Sequence, residues 1–204
     1  MGTAKGYKRY LPFILTASIV VVDQITKALV MHFIPLNTIA ASFFGDFLII
    51  MHVRNTGAAF SLGAESSVFL RVLVFIIIPM VLMGGMSYLV LSKKNYMTNV
   101  QRWFIAGIIG GGLGTLIDRI FRFNDGVVDF ISVKFYGIFG LERWPTFNVS
   151  DSCVVIFVIL FALSVIFTKS DNTTDADQAS KKAKSSKPTH SASTPNSDKR
   201  SHKD

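Results

Sequence analysis

The sequence predicts an all-α membrane protein of four transmembrane helices, with a small β-sheet and an interfacial segment on the outer side. Three observations predict it. Half of the 204 residues are apolar and only 17% are charged, and the mean hydropathy is +0.44, a balance foreign to a soluble domain of this size. Four separate stretches reach the roughly 20 apolar residues that a bilayer core requires of a helix. The basic residues are confined to the tails and one connection, as the rule that positive charge stays on the cytoplasmic side demands.

The spans fall at about 11–33, 68–91, 103–121 and 149–168. Lys5, Lys8 and Arg9 ahead of the run from Leu11 to Val22 also fit a cleaved leader, but apolar character resumes through Phe33, which favours a retained helix. Residues 1–10 then form a cytoplasmic tail and 11–168 the transmembrane domain. Lys93, Lys94 and Arg102 follow the second span, and Lys169 with seven further basic residues follows the fourth. The segments 35–67 and 123–148 carry as many acids as bases or more. Both termini are therefore expected in the cytoplasm. Residues 169–204, rich in Ser, Lys, Thr and Asp, have too few aliphatic side chains to offset the entropy of ordering and are expected to be a disordered basic tail.

Within the spans, Pro79 removes a backbone hydrogen bond and predicts a kink. Gly107, Gly110, Gly111, Gly112 and Gly114 on the third span predict close helix approach. Cys153, the single cysteine, lies in an apolar run and reads as a packing residue, which excludes an intramolecular disulfide or a cysteine metal cluster. The net charge of +8 sits in the tails and one loop and forms no nucleic-acid-binding face. On the outer side, Leu48–Val53 and Ala58–Leu62 read as strands joined across Arg54–Gly57. Val127–Phe135, followed by Tyr136, Phe139 and Trp144, is apolar and aromatic enough to lie in the headgroup layer.

Ionisable groups within a membrane are costly and mark partners or water-filled cavities. At about 1.5 Å per residue, Asp23 lies roughly 18 Å along the first helix and Lys27 one turn further out. Asp118 and Arg119 close the third helix, and Asn148 and Asp151 open the fourth. All converge on the outer boundary. The sequence holds no H-E-x-x-H signature and no Ser–His or Cys–His pairing there, so carboxylates remain as the chemical groups, above all Asp129 and Asp151. Two acids held close in polar-poor surroundings share one proton. The ionised member can then take a proton from water as it attacks an amide carbon while the other protonates the carbonyl oxygen.

Val-Asp-Gln-Ile-Thr-Lys (22–27), Arg-Asn-Thr-Gly-Ala-Ala-Phe-Ser (54–61), Gly-Leu-Gly-Thr-Leu-Ile-Asp-Arg (112–119), Val-Val-Asp-Phe-Ile (127–131) and Phe-Asn-Val-Ser-Asp-Ser (147–152) together resemble the boxes of lipoprotein signal peptidase, also called signal peptidase II. The resemblance covers about residues 10–168, in the family's order. It implies an aspartic endopeptidase of the bacterial inner membrane, without metal or cofactor, acting at the periplasmic interface. That enzyme removes the signal peptide of a prolipoprotein just before the cysteine that bears a diacylglyceryl group. Its implied partners are those precursors and membrane lipids, with no nucleic acid, and the implied state is a monomer. By motif position Asp129 and Asp151 would be catalytic. Asn55, Arg119 and Asn148 would line the site, and Asp23, Lys27, Gly57 and Asp118 would shape it. Asp23 and Lys27 could equally be an i, i+4 pair that neutralises itself inside the bundle. Thr115 stands where the family usually has Asn and is left out of the site; Ser150 stands where it usually has Ala. A proton- or cation-coupled transporter would place an acid near mid-bilayer, and a scaffold would merely pair its charges.

Overall fold

A computed structural model describes residues 7–57, 67–94 and 97–185, with side chains as far as Phe167. Two units are distinguished, 1–164 and 165–204; the second is helical as far as Ser185.

Four helices are long and apolar enough to cross a membrane: α1 (Pro12–Phe33), α2 (Val68–Leu91), α3 (Asn99–Phe121) and the Val149–Phe167 part of α4 (Val149–Ser185). Three antiparallel strands, β1 (Ile39–Phe43), β2 (Leu48–Asn55) and β3 (Val127–Val133), form one sheet in that order. The helix α1 ends at Phe33 because Ile34 precedes Pro35 and is held extended, as a residue before proline must be. The start of α3, four residues earlier than the apolar run suggests, is set by a capping box between Thr98 and Gln101.

Pro79 acts differently from a simple kink. The turn ahead of it, Leu73–Ile77, is a π-helix in which the Ile78 N–H reaches the Leu73 carbonyl, five residues back. Widening one turn accommodates the carbonyl that proline cannot bond.

The third helix is the hub. On α1, Thr16, Ile19, Asp23, Lys27 and Val30 recur every three or four residues as its buried face, and the Thr16 hydroxyl donates to Ala106 O of α3 at 2.7 Å. The glycines of α3 make this closeness possible. A Cβ on Gly110 would stand 3.1 Å from the Thr16 backbone of α1, and one on Gly111 would stand 2.5 Å from Ser150 O of α4. Gly114 lies against the Ser150 hydroxyl and the Asp23 carboxylate. With lipid on the far side offering the same dispersion as a side chain, backbone approach of this kind is what binds membrane helices.

The sheet differs from the sequence expectation in its partners. Strand β2 includes the expected Leu48–Val53, yet pairs with β1 on one side and β3 on the other. The expected strand Ala58–Leu62 lies outside the described residues. Most of the segment assigned to the headgroup layer, Val127–Phe135, is strand β3, because its backbone finds hydrogen-bond partners in β2 and in the segment leading to α4. There the Phe147 carbonyl accepts from Phe130 N–H at 3.0 Å and Ile131 N–H at 2.9 Å. That pairing lays the start of α4 along β3.

Candidate active site

Asp129 faces inward from the middle of β3, opposite Val53, and is 3% exposed. Asn148 precedes α4 and is fully buried. Its side-chain oxygen accepts from the Asp151 N–H at 3.0 Å, and its own N–H donates to Asp151 Oδ2 at 3.2 Å. This is a reciprocal helix cap with aspartate in the third position. The amide end of the same side chain donates to Asp129 Oδ1 at 2.7 Å. One asparagine thus links both acids, and the cap fixes which way its amide points. Asn55, at the end of β2, donates to Asp129 Oδ2 at 3.2 Å while its oxygen accepts from Gly57 N–H at 3.1 Å. Arg119 donates to the carbonyls of Asn55, at 3.1 Å, and Gly57, and its guanidinium lies 4.8 Å over the Phe75 ring. Arg119 therefore holds the 55–57 backbone that carries Asn55 to Asp129.

Burial, then the charge of the neighbouring Asp151, pushes Asp129 up to about 7, against the opposing pull of the Asn148 and Asn55 amides. Such a group exchanges its proton near neutrality.

Behind this pair is an ion cluster with a fully buried centre and Arg122 at its partly exposed edge. Asp23, Lys27 and Asp118 are each 0% exposed. Lys27 Nζ lies 2.7 Å from Asp23 Oδ2 and 2.9 Å from Asp118 Oδ2, and Arg122 pairs with Asp118 Oδ1. Two acids balance two bases, as burial requires. Gln24 joins them, donating to Gly114 O at 3.1 Å and Asp118 Oδ1 at 3.3 Å. The remaining contacts reach the acids' neighbours: Asp23 Oδ1 accepts from Ser150 N–H at 2.9 Å, and Asp118 Oδ2 from Val128 N–H at 3.3 Å. Ser150 precedes Asp151 and Val128 precedes Asp129. Asp23 and Lys27 thus form the expected i, i+4 pair, extended by Asp118 into a clamp on the two segments that carry Asp129 and Asp151.

Both acids line a cavity of about 490 Å³, walled by Phe75 and Pro79 of α2, Thr115 and Leu116 of α3, and Val154 of α4, among others. Thr115, set aside on sequence, is part of this wall. Gln24, Arg122 and Phe75 were also missed; of these only the i, i+4 spacing of Asp118 and Arg122 was a signal in the sequence. Among the described residues, no three His, Cys, Asp or Glu side chains are grouped as metal ligands.

Fold and site define a class: a helical protein with four helices able to cross a membrane and two carboxyl groups lining one cleft beside the sheet. Residues 15–167 match the family model described as signal peptidase (SPase) II. The chain is 48% identical to a lipoprotein signal peptidase of Treponema denticola over 166 residues, covering 81% of this chain and 93% of the relative. It is 46% identical to that of Borrelia hermsii, covering 76% and 89%. Two solved bacterial membrane enzymes share the fold. One has a TM-score of 0.64 at 26% identity, covering 79% of this chain and 90% of its own, and the other 0.62 at 28%, covering 76% and 92%. The chain belongs to the signal peptidase II family of aspartic peptidases, and is a multi-pass bacterial membrane protein.

Proposed function

We propose that this chain is a periplasm-facing endopeptidase that removes signal peptides from diacylglyceryl-modified prolipoproteins, cutting before the lipidated cysteine, with Asp129 and Asp151 as its catalytic pair. The observation that carries this reading is the Asn148 bridge, in which one residue donates to both carboxyl groups, its side-chain amide to Asp129 and its backbone N–H to Asp151, at the edge of one cavity. Membrane lipid and precursor are its partners in this reading, which takes the chain as a monomer. Positive charge in the tails and the connection after α2 supports cytoplasmic termini, and with them an outer position for the site.

The chemistry follows from one proton held between two acids. Asp129, raised to about 7, holds its proton below that pH, and the mechanism assigns the ionised role to Asp151. Water placed between them gives a proton to Asp151 as its oxygen bonds to the scissile carbonyl carbon, while Asp129 protonates the carbonyl oxygen. Collapse of the tetrahedral intermediate breaks the C–N bond. The proton on Asp151 passes to the departing cysteine nitrogen, and the carbonyl proton returns to Asp129. Asn148 and Asn55 orient the Asp129 carboxyl throughout. The apolar wall of Phe75, Pro79 and Val154 accepts the signal segment and keeps bulk water from the charges.

The test mixes purified full-length chain in detergent with a diacylglyceryl-modified precursor and with the same precursor lacking the lipid. Release of signal peptide from the first and not the second is expected. Cleavage of neither would remove the peptidase reading, and equal cleavage of both would remove the lipid requirement.

A further inference from the structure

A second, smaller cavity of about 240 Å³ opens beside the first, on the sheet side of Asp129. Asn55, Asp129, Pro145 and Thr146 line both, so the two chambers meet at Asp129. Their chemistry differs. The larger is walled mainly by apolar side chains, and the one arginine in its lining, Arg119, is engaged by the Asn55 and Gly57 carbonyls, whereas Arg54 of β2 and Arg143 line the smaller.

Neither arginine forms an ion pair among the described residues. Arg143 spends its guanidinium on neutral acceptors: the Ser132 hydroxyl at 2.9 Å, Ser132 O at 3.0 Å and Asp46 O at 2.8 Å. Arg54 donates to Gly126 O at 3.4 Å. Glu142, next to Arg143 in sequence, is exposed. Two half-buried positive charges therefore stand in a recess where, among the described residues, Asp129 is the one carboxyl group in the lining. A recess of this size is below the roughly 300 Å³ of a small-molecule site, but takes a short stretch of extended chain.

An amide cleaved at Asp129 must leave the cavity in two directions. The apolar signal segment matches the helix-walled chamber, which leaves the polar chamber to the chain beyond the scissile bond. We propose that this second chamber receives the residues that follow the lipidated cysteine, and that Arg54 and Arg143 make it favour an acidic residue and disfavour lysine there. The inference rests on the peptidase reading.

The test uses three diacylglyceryl-modified precursors that differ only at the second and third residues after the cysteine, bearing Asp, Asn or Lys. With the full-length enzyme at low salt, kcat/KM should fall in that order, by roughly fivefold from Asp to Lys, as suits charges at a half-exposed site. The spread should shrink in about 0.5 M salt. Arg54→Gln should bring the Asp-to-Lys ratio toward one, and Arg54→Lys should preserve it. Arg143→Gln gives an independent reading of the same ratio. One rate for all three precursors overturns this inference alone, as does a ratio unchanged in both glutamine variants. Cleavage of none of the three overturns the peptidase reading and takes this inference with it.

Discussion

Asp129→Asn and Asp151→Asn are each expected to lower kcat for signal-peptide release by about a thousandfold, within the range that general acid–base groups contribute, while leaving a folded, membrane-inserted chain. Asparagine has the same shape but neither accepts nor releases a proton near neutral pH. At position 151 it still offers an oxygen to the Asn148 N–H, so the cap that starts α4 survives. At position 129 one of its two ends meets an amide donor from Asn148 or Asn55 that formerly met an oxygen, a mismatch worth about 1–3 kcal/mol. Some loss of thermal stability is therefore expected for Asp129→Asn and little for Asp151→Asn. Single-turnover cleavage and thermal unfolding in detergent, read side by side, separate the two effects. Retained cleavage by either variant would exclude that carboxyl group from the chemistry.

Lys27→Met should be the most destabilising of the conservative-volume changes. Its ammonium is the bridge between two carboxylates that no solvent reaches. Arg122 meets only the other oxygen of Asp118 and leaves Asp23 without a cation. Removing one partner of a buried ion pair strands the other, a cost of about 3–5 kcal/mol. The damage should also reach the reaction, because Asp23 and Asp118 hold the N–H groups of Ser150 and Val128, one residue from each proposed catalytic acid. A fall in kcat with KM little changed is the expected signature of acids displaced relative to each other. Adding Asp23→Asn to Lys27→Met restores the charge balance and should recover part of the stability, which a merely space-filling role for Lys27 would not produce. Equal melting temperatures for Lys27→Met and the unaltered chain would show that the cluster is no clamp.

The helices were legible because each span is one uninterrupted apolar run, a local property. The glycines of α3 were legible for the same reason, though not which neighbour each would meet. The sheet was legible only in part. Leu48–Val53 has strand character on its own, but β1 is short and β3 is too uniformly apolar to distinguish a strand from a surface-lying segment; its partners, β2 and Phe147, are remote in sequence. At the site, side chains in recognisable boxes could be named, and the structure brings Asp129, Asp151, Asn55 and Asn148 into one hydrogen-bonded group. It sets Asp23, Lys27 and Asp118 behind that group, and Arg119 against the 55–57 backbone. The N–H groups of Ser150 and Val128 left no trace in the sequence, since every residue but proline has one and only folding decides which acid it meets.

The shared proton is the claim on which the chemistry stands, and infrared spectroscopy of the carboxyl C=O stretch reads it directly. Because Asp129 is raised from the usual carboxyl value of 3.8 to about 7, it keeps its proton at pH 5 to 6 and loses it as the pH rises through about 7. A protonated-carboxyl band that fades over that interval, in step with kcat, and is absent from Asp129→Asn is expected. A carboxyl band that does not titrate near pH 7, or one that titrates there equally in Asp129→Asn, would contradict it.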